Sequence, residues 1–229
     1  MVSDCEIAGV DLVFVLDSSS SIGSTNFFKI IEFVSKVVNA LKIGPTRSQV
    51  GIVVYSTNVS IPFNLNTYSN KTSLLSAIDD ISYIGGGTDT AQALRVLVSH
   101  GFSGARPPAE GVPQVAMVIT DGVSNDRQQT IQEATLLHQT SITTYAVGIG
   151  GANISELNEI ASTKNGEKLV RFINSFNAEE LLTLQEDLRK QACTGETELM
   201  CTMHTLHEDD DSYIQDTRIC IVLLSLNNH

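Results

Sequence analysis

The chain has 229 residues, 42% of them apolar by a broad count, and its 14 basic and 26 acidic residues give a net charge of −12. That length suits one domain of about 190 residues plus a remainder, or two smaller ones. The acidic balance, with no Lys/Arg cluster, argues against a nucleic-acid binder, and no apolar run reaches the ~18–20 residues of a membrane helix.

The N-terminus, "MVSDCEIAGVD", has neither a basic n-region nor an apolar h-region, so no signal peptide is visible in it. Residues 10–17, "VDLVFVLD", are continuous, β-branched and aromatic, as in a strand buried on both faces. The strand runs into Asp17 and four consecutive serines. Residues 25–41 carry Phe28, Ile31, Val34, Val38 and Leu41 at helical spacing, a stripe read as core, with Ser24 or Thr25 as the expected cap. Residues 48–56 read as a strand and 59–65 as a short one. Pro62 removes a ladder donor and assigns that short strand to a sheet edge, in one antiparallel hairpin.

Helices are predicted over 71–81 and 90–100, the second entered through Gly85-Gly86-Gly87. That triplet resembles a phosphate cradle only superficially, because no Gly-Lys-Ser/Thr follows. A buried strand over 113–122 ends at Asp121. A helix follows over 127–139, a strand over 142–150, a short helix over 154–162, a strand over 168–173 and a closing helix over 178–192. His100 and His138 fall near helix ends, where capping or surface roles are expected. Beyond Cys193 the character changes, with an acidic run over 208–211 and an apolar one over 219–226. Residues 194–229 read as a tail or an incomplete second module, too short to build a core alone.

Strands alternating with helices predict an α/β fold: a doubly wound, mostly parallel six-stranded sheet, with one antiparallel edge strand and helices on both faces. Such sheets bind ligands at the carboxyl ends of their strands, where strand order reverses. If the first strand lies beside 113–122, the Asp17 and Asp121 carboxylates meet in that crevice.

The four cysteines, Cys5, Cys193, Cys201 and Cys220, form no CxxC and no zinc spacing, and they allow three pairings. A Cys5–Cys193 bridge would tie together the two ends of the domain. Asn58, Asn70 and Asn153 head N-x-[S/T] sequons. Cysteines at the domain edges together with sequons point to a secreted protein; the alternative is a cytosolic protein with free buried thiols and unmodified asparagines.

Turns and caps account for one or two polar residues behind a strand. They do not account for Asp17, Ser19 and Ser21 in alternation. Residues two apart in a turn can project to one side, so D-x-S-x-S offers a carboxylate and two hydroxyls to one point. That is a hard-oxygen set for a small hard cation. "GGGTDT" supplies a further hydroxyl, Thr88, and "ITDG" a further carboxylate, Asp121.

These three motifs in this order, with "YAVGIGG" after the fifth strand, resemble a von Willebrand factor type A domain, the fold of integrin inserted domains and matrix-protein A domains. The resemblance covers residues 5–193. It implies a metal-ion-dependent adhesion site (MIDAS). Ser19, Ser21 and Thr88 would ligate the cation directly, and Asp17 and Asp121 mainly through bound water. Ser20 departs from a pattern that often has glycine there. Mg²⁺ is the implied metal, with Mn²⁺ or Ca²⁺ as alternatives. The implied function is a secreted or extracellular-matrix binding module, not an enzyme. It would hold a Glu or Asp of an extracellular protein such as collagen or another matrix protein. The implied fold also brings the first strand and last helix to one side, as a Cys5–Cys193 bridge requires.

Two other functions compete. In a structural matrix-assembly domain the metal would be incidental. A phosphatase of the haloacid dehalogenase type would need a second aspartate at position 19, which is serine, and no G-x-S-x-G elbow serves a hydrolase.

Overall fold

The computed structural model describes residues 9–107, 110–121, 123–149 and 152–173. The elements run β1 (Asp11–Asp17), α1 (Gly23–Ala40), β2 (Gln49–Tyr55), β3 (Val59–Phe63), α2 (Lys71–Asp79), α3 (Thr90–Val96), β4 (Gln114–Thr120), α4 (Arg127–His138), β5 (Thr143–Ile149), α5 (Ile154–Ile160), β6 (Thr163–Lys164), β7 (Glu167–Lys168) and β8 (Val170–Ile173). The main sheet has six strands in the order β3-β2-β1-β4-β5-β8. Only the β2–β3 pairing is antiparallel. The predicted fold class is therefore what the chain adopts, and Pro62 does lie in the edge strand β3.

All seven residues of β1 are buried, and their alternation divides them between two cores. Leu12, Phe14 and Leu16 pack on one face with Ile30 and Val34 of α1 and Leu74 and Ile78 of α2. Val13 and Val15 pack on the other with Leu94 of α3, Leu137 of α4 and Leu157 of α5. A strand covered on both faces has no place for a solvent-facing polar residue, hence its unbroken apolar run. Among the described residues, no helix is long and apolar enough to cross a membrane.

The α1 stripe needs correcting. Phe28 is 57% exposed, and Phe27 is the buried ring, with Ile30, Ile31, Phe33, Val34, Val37 and Val38. In "NFFKII" a stripe can start at either phenylalanine. The residue left out lies ~100° round the helix, since a turn takes ~3.6 residues. Leu41 is the C-cap and only half-buried. Ser24 and Thr25 fall inside the first turn, and the N-cap, Ile22, makes no side-chain cap bond.

The helix predicted over 90–100 is α3 followed by a π-helical turn, Leu97–Gly101. The strand predicted over 168–173 starts at Val170. Glu167 and Lys168 belong instead to a small hairpin with Thr163 and Lys164, turned by Asn165 (φ 52°) and Gly166 (φ 82°). An Asn-Gly pair with both φ positive matches strand twist and is a strong hairpin signal. Two sequon asparagines are helix caps. Asn70 Oδ1 accepts from Thr72 N and Ser73 N, and Asn153 Oδ1 from Ser155 N and Glu156 N. Asn58 is exposed in the β2–β3 turn. The Cys5–Cys193 bridge, the closing helix over 178–192 and the tail over 194–229 lie outside the described residues.

At the amino end of β1, the Asp11 side chain is fully buried. It accepts from Arg106 N (2.8 Å), Nε (3.0 Å) and Nη2 (2.6 Å). This pair ties the loop before β4 to the foot of the sheet.

Candidate metal centre

The chain leaves β1 toward β2 on one side, while β4 lies on the other, so strand order reverses between β1 and β4. Asp17 stands at the carboxyl end of β1, and Asp121 follows β4 at the same end. The expected adjacency of β1 and β4, with both aspartates at one end, is what the sheet shows.

Asp17 is fully buried and uses both carboxylate oxygens. Oδ1 accepts from Ser19 N at 2.8 Å, and Oδ2 accepts from Thr120 Oγ1 at 2.7 Å. From this fixed point the polar chain continues outward. The Ser19 and Ser21 hydroxyls lie 3.0 Å apart, and Ser21 Oγ donates to Asp121 Oδ1 at 3.0 Å. Four of the five predicted site residues are thus in one connected cluster. The fifth, Thr88, is buried in the glycine-rich loop.

That loop is held one amide at a time. Ile84 N donates to Ser18 Oγ and Gly85 N to Ser18 O, each at 2.8 Å. Gly86 N donates to Ser20 Oγ at 2.9 Å, and Gly87 N to Thr57 Oγ1 at 2.8 Å. Thr88 N donates to Asn125 Oδ1 at 3.3 Å, and Asp89 N to Ser56 O at 2.8 Å. The four serines therefore divide their work: Ser19 and Ser21 face the carboxylates, while Ser18 and Ser20 hold the loop bearing Thr88. Beyond Asp121, both oxygens of the buried Glu156 accept from Ser124 N, at 2.9 and 3.1 Å, and brace the next loop against α5. Ser18, Thr57, Thr120, Asn125 and Glu156 were missed in the sequence, because only the folded topology brings them to the site.

Gly86 has a φ of 103°, and a Cβ there would meet Thr57 Oγ1 at 2.7 Å. Gly86→Ala is expected to cost about 1–3 kcal/mol in backbone strain and to weaken cation binding by displacing Thr88. Chemical denaturation and metal titration of the variant check both effects.

Burial pushes the Asp17 carboxyl above the usual carboxylate range. Bonds from Ser19 and Thr120 hold it down in part, and the Asp121 charge adds to the rise. Burial also raises Asp121, against the bond from Ser21. Beneath them the fully buried Tyr55 phenol is pushed well above its ordinary value, by burial first and the Asp17 charge second. It stays neutral beside the carboxylates. Two carboxylates that resist ionisation so close together call for a positive charge.

The residues present fit a small divalent cation. The donors are all oxygen, a hard set. The Ser19 and Ser21 hydroxyls, 3.0 Å apart, are close enough to share one cation, with Asp121 one hydrogen bond further out. Among the described residues, no group of three or more His, Cys, Asp or Glu is positioned to hold a metal, so this site depends on its hydroxyls.

A family model described as von Willebrand factor type A domain matches residues 11–187. Matrilin-2 of Mus musculus is 37% identical over 185 residues, covering 80% of this chain and 18% of that protein. The collagen alpha-5(VI) chain of Homo sapiens is 36% identical over 183 residues, covering 80% of this chain and 7% of that one. The chain thus spans a small part of these relatives. Among solved structures, proximal thread matrix protein 1 from the mussel byssus, with a zinc-occupied MIDAS motif, is similar at a TM-score of 0.69 and 32% identity. The match covers 84% of this chain and 47% of that one. The manganese-loaded TRAP protein of Plasmodium vivax, 20% identical with a TM-score of 0.62, shares the fold.

Proposed function

The chain belongs to the von Willebrand factor type A domain family, and on that premise we propose that it is a protein-binding module. It holds an acidic side chain of a partner through one divalent cation at Asp17, Ser19, Ser21, Thr88 and Asp121. The observation that carries this reading is the unbroken path from buried Asp17 through Ser19 and Ser21 to Asp121, with both carboxyls raised by burial.

Ser19, Ser21 and Thr88 would hold the cation directly, and Asp17 and Asp121 through water. Neutral hydroxyls leave the cation's charge poorly neutralised, so when bound it supplies an electrophilic position for a partner's carboxylate. Thr120 keeps Asp17 oriented, and Asn125 keeps Thr88 in place. Mg²⁺, which keeps several waters when bound, suits a site whose carboxylates act through water, with Mn²⁺ or Ca²⁺ as alternatives. With a net charge of −12, the chain repels an acidic partner at long range, so recognition depends on one well-placed Glu or Asp at short range.

The similarity to matrilins, a collagen VI chain and a thread matrix protein supports a secreted, extracellular-matrix setting, a non-enzymatic role, and collagen or another matrix protein as partner. That setting also suits a Cys5–Cys193 bridge and carbohydrate at Asn58, Asn70 and Asn153. The same relatives favour a second reading, structural assembly in which the metal is incidental. Solid-phase binding to immobilised collagen and matrix extract, in Mg²⁺ and in EDTA, separates the two. Metal-dependent capture predicts a signal that falls to background in EDTA and with Asp121→Ala. A signal indifferent to both would leave structural assembly as the function.

A further inference from the structure

We propose that Ser20 is a positioning residue that fixes the metal-bearing loops against each other before any cation binds. The inference rests on the metal-site reading above and adds to it a residue that does not touch the cation. Ser20 lies between two proposed direct ligands, Ser19 and Ser21, and meets the loop that carries the third, Thr88. Its backbone N–H donates to Gly86 O at 2.9 Å, and its hydroxyl accepts from Gly86 N at 2.9 Å. One residue thus satisfies both polar backbone groups of another, and the register of the serine turn becomes the register of the glycine loop.

The loop needs that restraint. Three consecutive glycines lose more freedom on ordering than any other triplet, and two of them, Gly85 (φ 78°) and Gly86 (φ 103°), adopt backbone conformations that side chains rarely take. Ser18 and Thr57 hold the amides on either side, at Ile84, Gly85 and Gly87. Of the groups that hold the amides of Ile84 to Asp89, only the Ser20 hydroxyl stands between two proposed direct ligands. Glycine at this position could make the backbone bond to Gly86 O, but it has no hydroxyl to accept Gly86 N–H. The serine therefore adds a contact that a glycine in its place lacks, and Thr88 is held ready to meet Ser19 and Ser21.

The test uses the full chain with Ser20→Ala and Ser20→Thr, and two readouts. Amide hydrogen exchange at Gly86, measured in EDTA, reports the clamp without metal. Mn²⁺ titration reports its consequence for the site. A hydrogen bond of ordinary net strength is worth roughly a twofold to twelvefold change. Ser20→Ala should raise the Gly86 exchange rate and weaken Mn²⁺ binding by about that factor, and Ser20→Thr, which keeps the hydroxyl, should restore both. Unchanged exchange in Ser20→Ala overturns the clamp. Faster exchange with unchanged Mn²⁺ affinity overturns the positioning role. A wild-type chain that binds no Mn²⁺ overturns the metal-site reading and the positioning role with it, and exchange at Gly86 then still shows whether the clamp exists.

Discussion

The Asp17→Asn variant is expected to melt a few degrees higher than the wild type in EDTA and to show none of its stabilisation by Mg²⁺. Asp17 is buried with its carboxyl raised above the usual carboxylate range. The folded state thus takes up a proton at higher pH than the unfolded chain. The stability this group contributes is complete below its unfolded value and lost as pH rises through the folded value. As pH rises toward neutral, the metal-free protein therefore loses the stability that the protonated carboxyl contributes. An asparagine avoids that loss and keeps most of the bonding. Its amide oxygen can accept from Ser19 N, and its amide nitrogen can donate to Thr120 Oγ1 where the second carboxylate oxygen accepted. Single stabilising substitutions commonly gain about 0.5–2 kcal/mol, and a strained functional site is a place where stability is traded for function. The fall in metal-free stability from mildly acidic to neutral pH should also become shallower, though Asp121, raised in the same sense, still contributes to it. With Mg²⁺ the order reverses: a cation at about 100 times its Kd stabilises the wild type by about 2.7 kcal/mol, and the variant gains nothing. Thermal melts across pH, with and without Mg²⁺, give all of these quantities. A variant less stable than wild type in EDTA would contradict the account of Asp17 as a group strained without its cation.

Arg106→Ala should be the more damaging change to the fold. It leaves Asp11, fully buried at the foot of β1, without its three Arg106 donors less one. Only the backbone bond from residue 106 at 2.8 Å would persist. Breaking a buried pair from one side costs about 3–5 kcal/mol, because a charge stays buried without a partner. At roughly 2–4 °C per kcal/mol for a domain of this size, the melting temperature should fall by roughly 10 °C. Replacing both partners by apolar residues, as in Asp11→Leu with Arg106→Met, should cost much less. Asp11 and Asp17 are six residue steps apart along β1, roughly 20 Å at the rise of an extended strand. The folded Arg106→Ala protein should therefore bind metal as the wild type does. Chemical denaturation and a metal titration of the same sample check the two halves. A loss below 1 kcal/mol would mean that the pair does not hold the loop.

The order and type of the main elements were legible because each central strand is buried on both faces and each helix lays one stripe on them. β1 reads as a continuous apolar run for that reason, and β2, β4 and β5 as largely apolar ones. Side-chain direction was harder to read. "NFFKII" fits two helical phases a single residue apart, and only packing on the sheet selects Phe27. The Asn165-Gly166 turn carried a local signal that the strand reading of 168–173 overran. That Asp17, Ser19, Ser21 and Asp121 cluster could be expected in advance, because the alternation and the strand-end aspartates are local features of the sequence. The residues that hold them could not. Thr120 meets Asp17 across 103 positions of sequence, and Ser20 meets Gly86 across 66. Such partners share no local pattern, and the strand order alone brings them together. Asp11 and Arg106, 95 positions apart, were unreadable for the same reason.

The central claim is that one cation binds through the serine turn, Thr88 and the two carboxylates. Isothermal titration of the metal-free chain with Mg²⁺ and with Mn²⁺, beside the Asp121→Ala variant, tests it most directly. The account predicts a single site per chain in the wild type, and binding lost or greatly weakened in the variant. No binding in the wild type, or wild-type affinity in Asp121→Ala, would contradict it.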